Sequence, residues 1–173
     1  GSVRAVREGR AAVQDEGSQL VALALALVAV EPAGDGRTAE RWLDLCAGPG
    51  GKSGLLGAVV RQEGGSLLAV EQAPHRAELV RAAVAALGDT VEVRCGDGRE
   101  VGRAEPAAYD RVLVDAPCTG LGALRRRPES RWRRQPADVA ALAPLQRELL
   151  TSGLDAVRPG GVVAYVTCSP HVA

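Results

Sequence analysis

Two cysteines follow short apolar stretches of the chain, and either could act as a nucleophile. Cys118 comes after the stretch 112–114, and Cys168 comes after the stretch 162–166. A thiolate is the side-chain nucleophile best suited to attack at neutral pH. By adding to carbon 6 of a pyrimidine it enables carbon 5 to attack an electrophilic methyl group. Asp115, three residues before Cys118, could offset charge at ring nitrogen 3 during the addition.

If the two apolar stretches are adjacent strands, one thiol suits the attack and the other an assisted release of product. Chemistry alone does not say which cysteine does which. The remaining two cysteines, Cys46 and Cys95, are interpreted as small buried residues.

The residues of a nucleoside-cofactor site come at intervals between the same stretches. A glycine-rich loop follows the first apolar stretch, and it comprises Cys46, Ala47, Gly48, Pro49, Gly50, Gly51 and Lys52. Glu71 lies twenty residues after Gly51, where a carboxylate can accept both ribose hydroxyls. Asp97 could accept the amine of an adenine. A glycine loop with an acid for the ribose and an acid for the adenine is the set that S-adenosylmethionine needs.

Two phosphate-binding patterns compete for the glycine loop. A dinucleotide fingerprint starting at Gly48 would need glycine at position 53, which is Ser53. A P-loop ends correctly at Gly51-Lys52-Ser53, but Cys46 stands where its first glycine belongs. Because residues 112–115 also imitate the second motif of such enzymes, a P-loop-like NTPase stays an alternative. A non-catalytic RNA-binding domain of the same fold is another.

The elements that must position these groups alternate along the chain. Five short stretches rich in Val and Leu are predicted to be strands buried on both faces, and they span residues 42–45, 67–70, 91–93, 112–114 and 162–166. Helical spacing of apolar residues covers 73–87 and 138–157, with Pro159-Gly160-Gly161 expected to end the second helix. The ambiguous stretch 20–30 is predicted as a helix from its alanines. This order predicts an α/β, Rossmann-like fold whose mostly parallel sheet has helices on both faces. Ligands of such sheets bind beyond the carboxyl ends of the strands.

Composition narrows the class of protein. The chain has 173 residues, enough for one domain, and its 21 Lys and Arg balance 21 Asp and Glu, which excludes a polybasic chain. Aromatic residues make up 2%, which argues against aromatic stacking platforms for RNA. The longest apolar run, 20–30, is too short to span a membrane. The cysteine spacing indicates neither a zinc site nor a disulfide framework, so we expect no metal and a cytoplasmic protein.

Although the net charge of the whole chain is zero, the chain contains one local cluster of basic residues. Residues 125–134 hold one Glu and six arginines: Arg125, Arg126, Arg127, Arg131, Arg133 and Arg134. Because the cluster follows Cys118 closely and contains Trp132, we interpret it as a phosphate-binding segment for RNA. Arg7, Arg10, Arg76 and Arg81 are interpreted as ordinary solvated arginines.

Together the motifs resemble one enzyme family. DLCAGPGGK, DAPCTG and TCSPH, in this order, are similar to those of the Sun/Fmu (RsmB-like) RNA cytosine-5 methyltransferases. VQDEGSQL at 13–20, GALRRRP at 122–128 and Arg131-Trp132 also resemble stretches of that family. The resemblance implies that Cys168 is the nucleophile and that Cys118 helps to release the product. It implies cofactor contacts from Cys46 to Lys52 and at Glu71, Asp97 and Asp115.

The resemblance also sets the expected domain and substrate. Residues 1–173 are predicted to form a class I methyltransferase catalytic domain that uses S-adenosylmethionine, with 16S ribosomal RNA as substrate. We expect a fragment, since family members carry an RNA-binding domain before this one and further strands after it. Gly1-Ser2 is interpreted as the remnant of a tag.

Overall fold

A computed structural model of the chain describes residues 3–8, 11–125, 128–133, 135 and 137–170. Its sheet has five parallel strands in the order β3-β2-β1-β4-β5. The strands are β1 (Arg41–Asp44), β2 (Ser66–Glu71), β3 (Val91–Cys95), β4 (Tyr109–Asp115) and β5 (Val157–Val166). Each contains or overlaps one of the five predicted stretches. The three central strands β1, β2 and β4 are largely buried, as parallel strands covered on both faces are, whereas the edge strands β3 and β5 are partly exposed.

Seven α-helices lie within the described ranges, two of them before β1 and five between the strands. They are α1 (Arg4–Arg7), α2 (Glu16–Leu27), α3 (Gly51–Gln62), α4 (Pro74–Val84), α5 (Val101–Ala104), α6 (Ser130–Arg133) and α7 (Ala137–Ala156). Short 3₁₀ helices cover Ala85–Thr90, Gly98–Glu100 and Leu121–Ala123. No helix of these ranges is long and apolar enough to cross a bilayer.

Two apolar clusters hold helices on both faces of the sheet, as predicted. One cluster joins α2, α3 and α4 to the sheet through residues such as Leu25, Leu56 and Val80. The other joins α5 and α7 through Val101 and Leu149. The fold is therefore the predicted α/β sandwich of three layers, with the carboxyl ends of all five strands at one edge.

The end of α7 differs from the prediction. The helix stops at Ala156, and β5 begins at once with Val157. Pro159, Gly160 and Gly161 lie inside β5, where the pairing with β4 is irregular between Tyr109 and Arg111. Gly160 adopts φ +78°, a conformation that glycine accommodates without steric cost. The Pro-Gly-Gly segment therefore makes an irregularity within the strand instead of ending the helix.

A contact between α5 and α7 fixes the loop that carries Asp97. Ser152 Oγ donates a hydrogen bond to the carbonyl of Gly98 (2.7 Å) and accepts one from the N–H of Gly102 (2.9 Å). Gly102 lies so close to α7 that a methyl group there would overlap with the carbonyl oxygen of Ser152. Both Gly98 and Gly102 are buried. The hydroxyl of Ser152 thus attaches the loop after β3 to α7.

Gly102→Ala is expected to lower the free energy of unfolding by about 1 to 3 kcal/mol, because backbone atoms must shift to admit the methyl group. Urea unfolding measures the change. Gly34→Ala is the matched control, since no described atom lies within 4 Å of the added methyl group. Equal stabilities of the two variants would contradict the close α5–α7 contact.

Candidate active site

The carboxyl ends of the strands border an open cleft of about 450 Å³, called the first cleft below. Its lining includes Glu71 at the end of β2, Asp97 after β3, Asp115 at the end of β4 and Cys168 after β5. The loop after β1 contributes Cys46, Ala47, Gly48, Pro49, Gly51 and Lys52. The structure therefore brings the predicted cofactor residues together, with Gly50 as the exception.

Gly48 and Gly50 serve the loop in different ways. The N–H of Gly48 donates to Glu71 Oε2 (3.0 Å), and a side chain at position 48 would overlap with that carboxylate. Gly50 has φ +105°, and a methyl group there would lie 2.6 Å from the Cβ of Ala83 in α4. Gly50 therefore packs against α4. It was predicted to be a cofactor-binding residue, but it does not line the first cleft.

Glu71 is held rigidly beside the loop. It is buried, and its two oxygens accept the N–H groups of Gly48 and Ala73 (2.9 Å for Ala73). Arg76 donates to the carbonyl of Gly48 (2.5 Å) and lies 3.6 Å from Glu71. The interpretation of Arg76 as an ordinary solvated arginine is wrong, since its guanidinium clamps the loop and lines the first cleft. Helical periodicity could not show this, because the partner loop is distant in sequence.

Asp97 is an ionised carboxylate at the edge of the first cleft. Its oxygens accept the backbone N–H of Arg99 (3.0 Å) and the guanidinium of the same residue (2.6 Å). These hydrogen bonds from Arg99 hold the pKa of Asp97 below its usual value. The Asp97 side chain also caps the 3₁₀ helix Gly98–Glu100.

Lys52 and Asp115 form an ion pair between the glycine loop and β4. Lys52 Nζ lies 2.7 Å from Asp115 Oδ2 and donates to Ser18 Oγ at 3.3 Å. Both charged side chains are more than two-thirds buried. Ser18 received no role from the sequence, although it lies within the motif VQDEGSQL. The ion pair holds in place the carboxylate of Asp115, which was predicted from the sequence to act at nitrogen 3 of a pyrimidine ring.

Asp44, a buried carboxylate under the glycine loop, was not among the site residues predicted from the sequence. It accepts hydrogen bonds from Ser53 Oγ (2.7 Å) and from the N–H of Cys46 (3.3 Å). Burial, together with the nearby charge of Asp115, raises the pKa of Asp44 to about 6. Asp44 is the last residue of β1, and nothing in the sequence distinguishes this buried carboxylate from an ordinary polar residue at a strand end.

The two proposed catalytic thiols are in contact. Cys118 Sγ and Cys168 Sγ lie 3.3 Å apart, and both cysteines are free. Hydrogen bonds join the segments that carry them: Ala116 N–H to the carbonyl of Val166 (2.9 Å) and Gly122 N–H to that of Cys168 (2.8 Å). Cys168 is the more exposed of the two thiols. Burial raises the pKa of Cys168 to about 11, and the hydrogen bond with Cys118 adds to the shift.

The other two cysteines differ from each other. Cys46 is half-buried and packs against an apolar cluster, and burial raises the pKa of its thiol strongly. Cys95 is exposed, so the prediction that it is a buried residue is wrong. It ends β3, which is an edge strand whose later residues lack cover. No group of three Cys, His, Asp or Glu in the described ranges could hold a metal ion.

A second cleft of about 500 Å³ adjoins the first. The two share Asp115, Lys52 and Cys168 in their linings, together with Asp15, Ser18 and Ala123. The lining of the second cleft also includes Thr167, Ser169 and Arg125. Cys168 is therefore accessible from two neighbouring cavities.

The basic cluster lies partly in the described ranges. Arg125 lines the second cleft, while Arg131 and Arg133 are exposed on α6. The guanidinium of Arg131 lies 5.9 Å from the ring of Trp132, which is 81% exposed. Arg126, Arg127 and Arg134 fall outside the described residues, as does Arg10.

The parallel sheet, the glycine loop and the acids at successive strand ends define a Rossmann-like, S-adenosylmethionine-dependent methyltransferase fold. The sequence model of the 16S rRNA methyltransferase RsmB/F family matches residues 33–173. The chain belongs to this family, which confirms the resemblance. The predicted cofactor, S-adenosylmethionine, is confirmed as well. The match to methyltransferases gives no support to the P-loop alternative.

Relatives and a solved structure agree with this family. The chain is 61% identical over 173 residues to "Putative methyltransferase Rv1407" of Mycobacterium tuberculosis (strain H37Rv), covering 100% of the chain and 36% of that protein. It is 37% identical over 163 residues to ribosomal RNA small subunit methyltransferase B of Vibrio cholerae, covering 94% and 35%. The crystal structure of NSun6 from Pyrococcus horikoshii with SFG superimposes with a TM-score of 0.79, 25% identity, and 98% and 41% coverage. The chain spans about a third of the length of these curated relatives.

The pKa of Asp44 predicts a pH-dependent stability. Because the folded pKa of about 6 exceeds the unfolded value of about 4, Asp44 favours folding at low pH, and this contribution is lost as the pH rises through 6. The loss is roughly 2 to 3 kcal/mol. Asp44→Asn removes this titration, so its stability relative to the parent chain should rise between pH 4 and pH 7. Urea unfolding across this range measures it, and parallel pH profiles would contradict the shifted pKa.

Proposed function

We propose that this chain transfers a methyl group from S-adenosylmethionine to carbon 5 of cytosine in 16S ribosomal RNA, through a covalent bond to Cys168. The observation that carries the proposal is the pair of thiols, 3.3 Å apart, beside Asp115 where the two clefts meet. The family match supports the methyltransferase class and a ribosomal RNA substrate. With such a substrate, the protein acts in the cytoplasm.

The first cleft has groups that suit S-adenosylmethionine. When bound, the cofactor supplies an electrophilic methyl group on a positively charged sulfur. Glu71 is placed to accept hydrogen bonds from the ribose, and Asp97 from the adenine amine. The glycine loop lines the cleft, and a side chain at Gly48 would overlap with the carboxylate of Glu71. The carboxylates around the cleft also favour a cationic ligand.

The second cleft is assigned to the target base. A cytosine inside a stacked helix cannot reach Cys168, so the base must be turned out of its stack. Thr167, Ser169 and Pro170 border this cleft beside Cys168. From there the pyrimidine faces the thiol on one side and the methyl donor in the adjoining cleft on the other.

The Cys168 thiol keeps its proton at neutral pH, because its pKa is raised to about 11. Attack on carbon 6 therefore requires a base to take this proton as the sulfur–carbon bond forms, and Asp115, which lines both clefts together with Cys168, is assigned that role. The electron pair of the ring double bond moves toward nitrogen 3, which takes the proton from Asp115, so that no negative charge is left on the ring. Carbon 5 then forms a bond to the methyl group, and the bond between this methyl group and the sulfur of the methyl donor breaks.

Release of the product breaks the bond between the sulfur of Cys168 and carbon 6. A base takes the proton from carbon 5, the double bond reforms, and the sulfur of Cys168 leaves carbon 6. The Cys118 thiol is in hydrogen-bond contact with this sulfur, and it stabilises the departing group. Cys118 is thus assigned to product release and Cys168 to attack.

The basic cluster is assigned to RNA phosphates. Arg125 borders the proposed base cleft, and Arg131 and Arg133 extend the positive surface along α6. Arginine contacts to phosphate bind RNA without selecting its sequence. We expect this contribution to weaken as the salt concentration rises.

Cys168→Ser is expected to reduce methylation of small-subunit ribosomal RNA by about 1,000-fold or more, because the nucleophile is lost. Binding of S-adenosylmethionine, measured by calorimetry, should stay unchanged. Methyl transfer is measured with a radiolabelled donor. Full methylation by this variant would contradict the assignment of the nucleophile. RNA binding without cofactor binding would instead favour a non-catalytic domain.

Cys118→Ala should cause the covalent complex between Cys168 and RNA to accumulate. If Cys118 assists elimination, its removal leaves RNA attached to Cys168, and a protein–RNA adduct accumulates that survives denaturing electrophoresis. The double variant with Cys168→Ser is the control and should form no adduct. Rapid product release by Cys118→Ala would contradict the role of Cys118.

A further inference from the structure

The residue that follows each of the two proposed catalytic cysteines carries a hydroxyl group, and these two hydroxyls are hydrogen-bonded to each other. Thr119 Oγ1 lies 2.5 Å from Ser169 Oγ, and the two residues come directly after Cys118 and Cys168. Thr119 is buried and lines the first cleft, whereas Ser169 is half-buried and lines the second. This contact, called the hydroxyl pair below, therefore lies where the clefts adjoin, one residue from each thiol.

Two backbone hydrogen bonds also join the two segments, but they lie further from Cys118. The N–H groups of Ala116 and Gly122 each donate to a carbonyl of the segment that carries Cys168 (2.9 and 2.8 Å). They lie two and four residues from Cys118, and Gly120, in the left-handed conformation (φ +73°), separates the second bond from it. The hydroxyl pair is therefore better placed than either bond to fix the distance between the thiols.

On its other side, the loop that carries Cys118 is attached to a different element. Gln146 Nε2, in α7, donates a hydrogen bond to the carbonyl of Pro117 (2.7 Å). This bond holds the residue before Cys118 to α7, and α7 does not carry the other thiol. A loop held to α7 needs a separate link to the segment after β5 if the two sulfurs are to stay 3.3 Å apart. The hydroxyl pair supplies that link.

The contact between the thiols is too weak to order the loop by itself. A thiol is a weak hydrogen-bond donor and a weak acceptor, whereas a hydroxyl is a good donor and a good acceptor. Because Thr119 is buried, leaving its hydroxyl without a partner would be costly, and this cost favours the bonded arrangement. The position of the weakly interacting Cys118 thiol thus depends on the stronger hydrogen bond beside it.

We propose that Thr119 and Ser169 are positioning residues for product release, and that their hydrogen bond holds the Cys118 thiol against the sulfur of Cys168. The inference rests on the proposed function, since it requires Cys118 to stabilise the sulfur that leaves carbon 6. It deepens that function by assigning the geometry of release to two further side chains. Because attack is assigned to Cys168 and Asp115, the hydroxyl pair affects release and leaves the rate of attack unchanged.

Thr119→Val and Ser169→Ala each remove one hydroxyl of the pair. In a single turnover with small-subunit ribosomal RNA, the covalent protein–RNA adduct should form at the parental rate. It should decay about three- to tenfold more slowly, as expected for the loss of one hydrogen bond. Rapid quenching followed by denaturing electrophoresis measures both rates. Thr119→Ser keeps the hydroxyl and should restore the parental rate of decay, which loss of packing alone would not explain.

The double variant with Thr119→Val and Ser169→Ala tests whether the two hydroxyls act together. Its adduct should decay no more slowly than that of either single variant, because each substitution alone breaks the same hydrogen bond. Additive effects of the two substitutions would contradict the inference. Weaker RNA binding with a parental rate of decay would also contradict it, since the hydroxyls would then contact RNA without positioning Cys118.

Thr38→Val makes the same substitution at an exposed position before β1 and should leave both rates unchanged. Parental decay in Thr119→Val and Ser169→Ala, together with slow decay in Cys118→Ala, would overturn the inference alone. Parental decay in Cys118→Ala as well would remove the proposed role of Cys118 and the inference with it. Urea unfolding verifies that each variant is folded, and Ser169→Ala, at a half-buried position, still tests the inference if Thr119→Val does not fold.

Discussion

The parallel pairing of β4 with β5 is the constraint on which the site depends. Asp115 is aligned with Val166 in this pairing, and the two cysteines follow within three residues of the aligned positions. A shift of one residue would move a side chain about 3.3 Å along the strand and turn it to the other face. The contact of the two sulfurs would then be lost. The irregularity around Gly160 lies near the start of β5, so the pairing is regular from Arg111 to Asp115.

The distribution of charge separates the site from the opposite edge of the sheet. At the carboxyl ends of the strands, carboxylates outnumber cations in the lining of the first cleft, which suits a positively charged methyl donor. At the amino ends, buried Asp110 is satisfied by Arg158 (2.6 Å), Arg37 (3.0 Å) and the N–H of Arg41 (2.7 Å). A buried charge with several partners is stable, whereas the site keeps groups available for ligands.

Most of the fold and the main residues of the site were predictable from the sequence, and the reasons are local. Short stretches rich in apolar residues predicted the strands, and Glu71, Asp97, Asp115 and the two thiols come within four residues of the ends of these stretches. What the sequence could not provide depends on contacts between distant segments. Examples are Arg76 across the glycine loop and Gly50 against α4. The exposure of Cys95 followed from the order of the strands, which places β3 at an edge.

Trapping with 5-fluorocytidine tests the central claim, attack by Cys168, most directly. Fluorine on carbon 5 cannot leave as a proton, so elimination is blocked after methyl transfer. Ribosomal RNA containing this base should become covalently attached to the protein only when S-adenosylmethionine is present, and mass spectrometry should locate the attachment at Cys168. Attachment at Cys118, or no covalent product in the presence of the cofactor, would contradict the account.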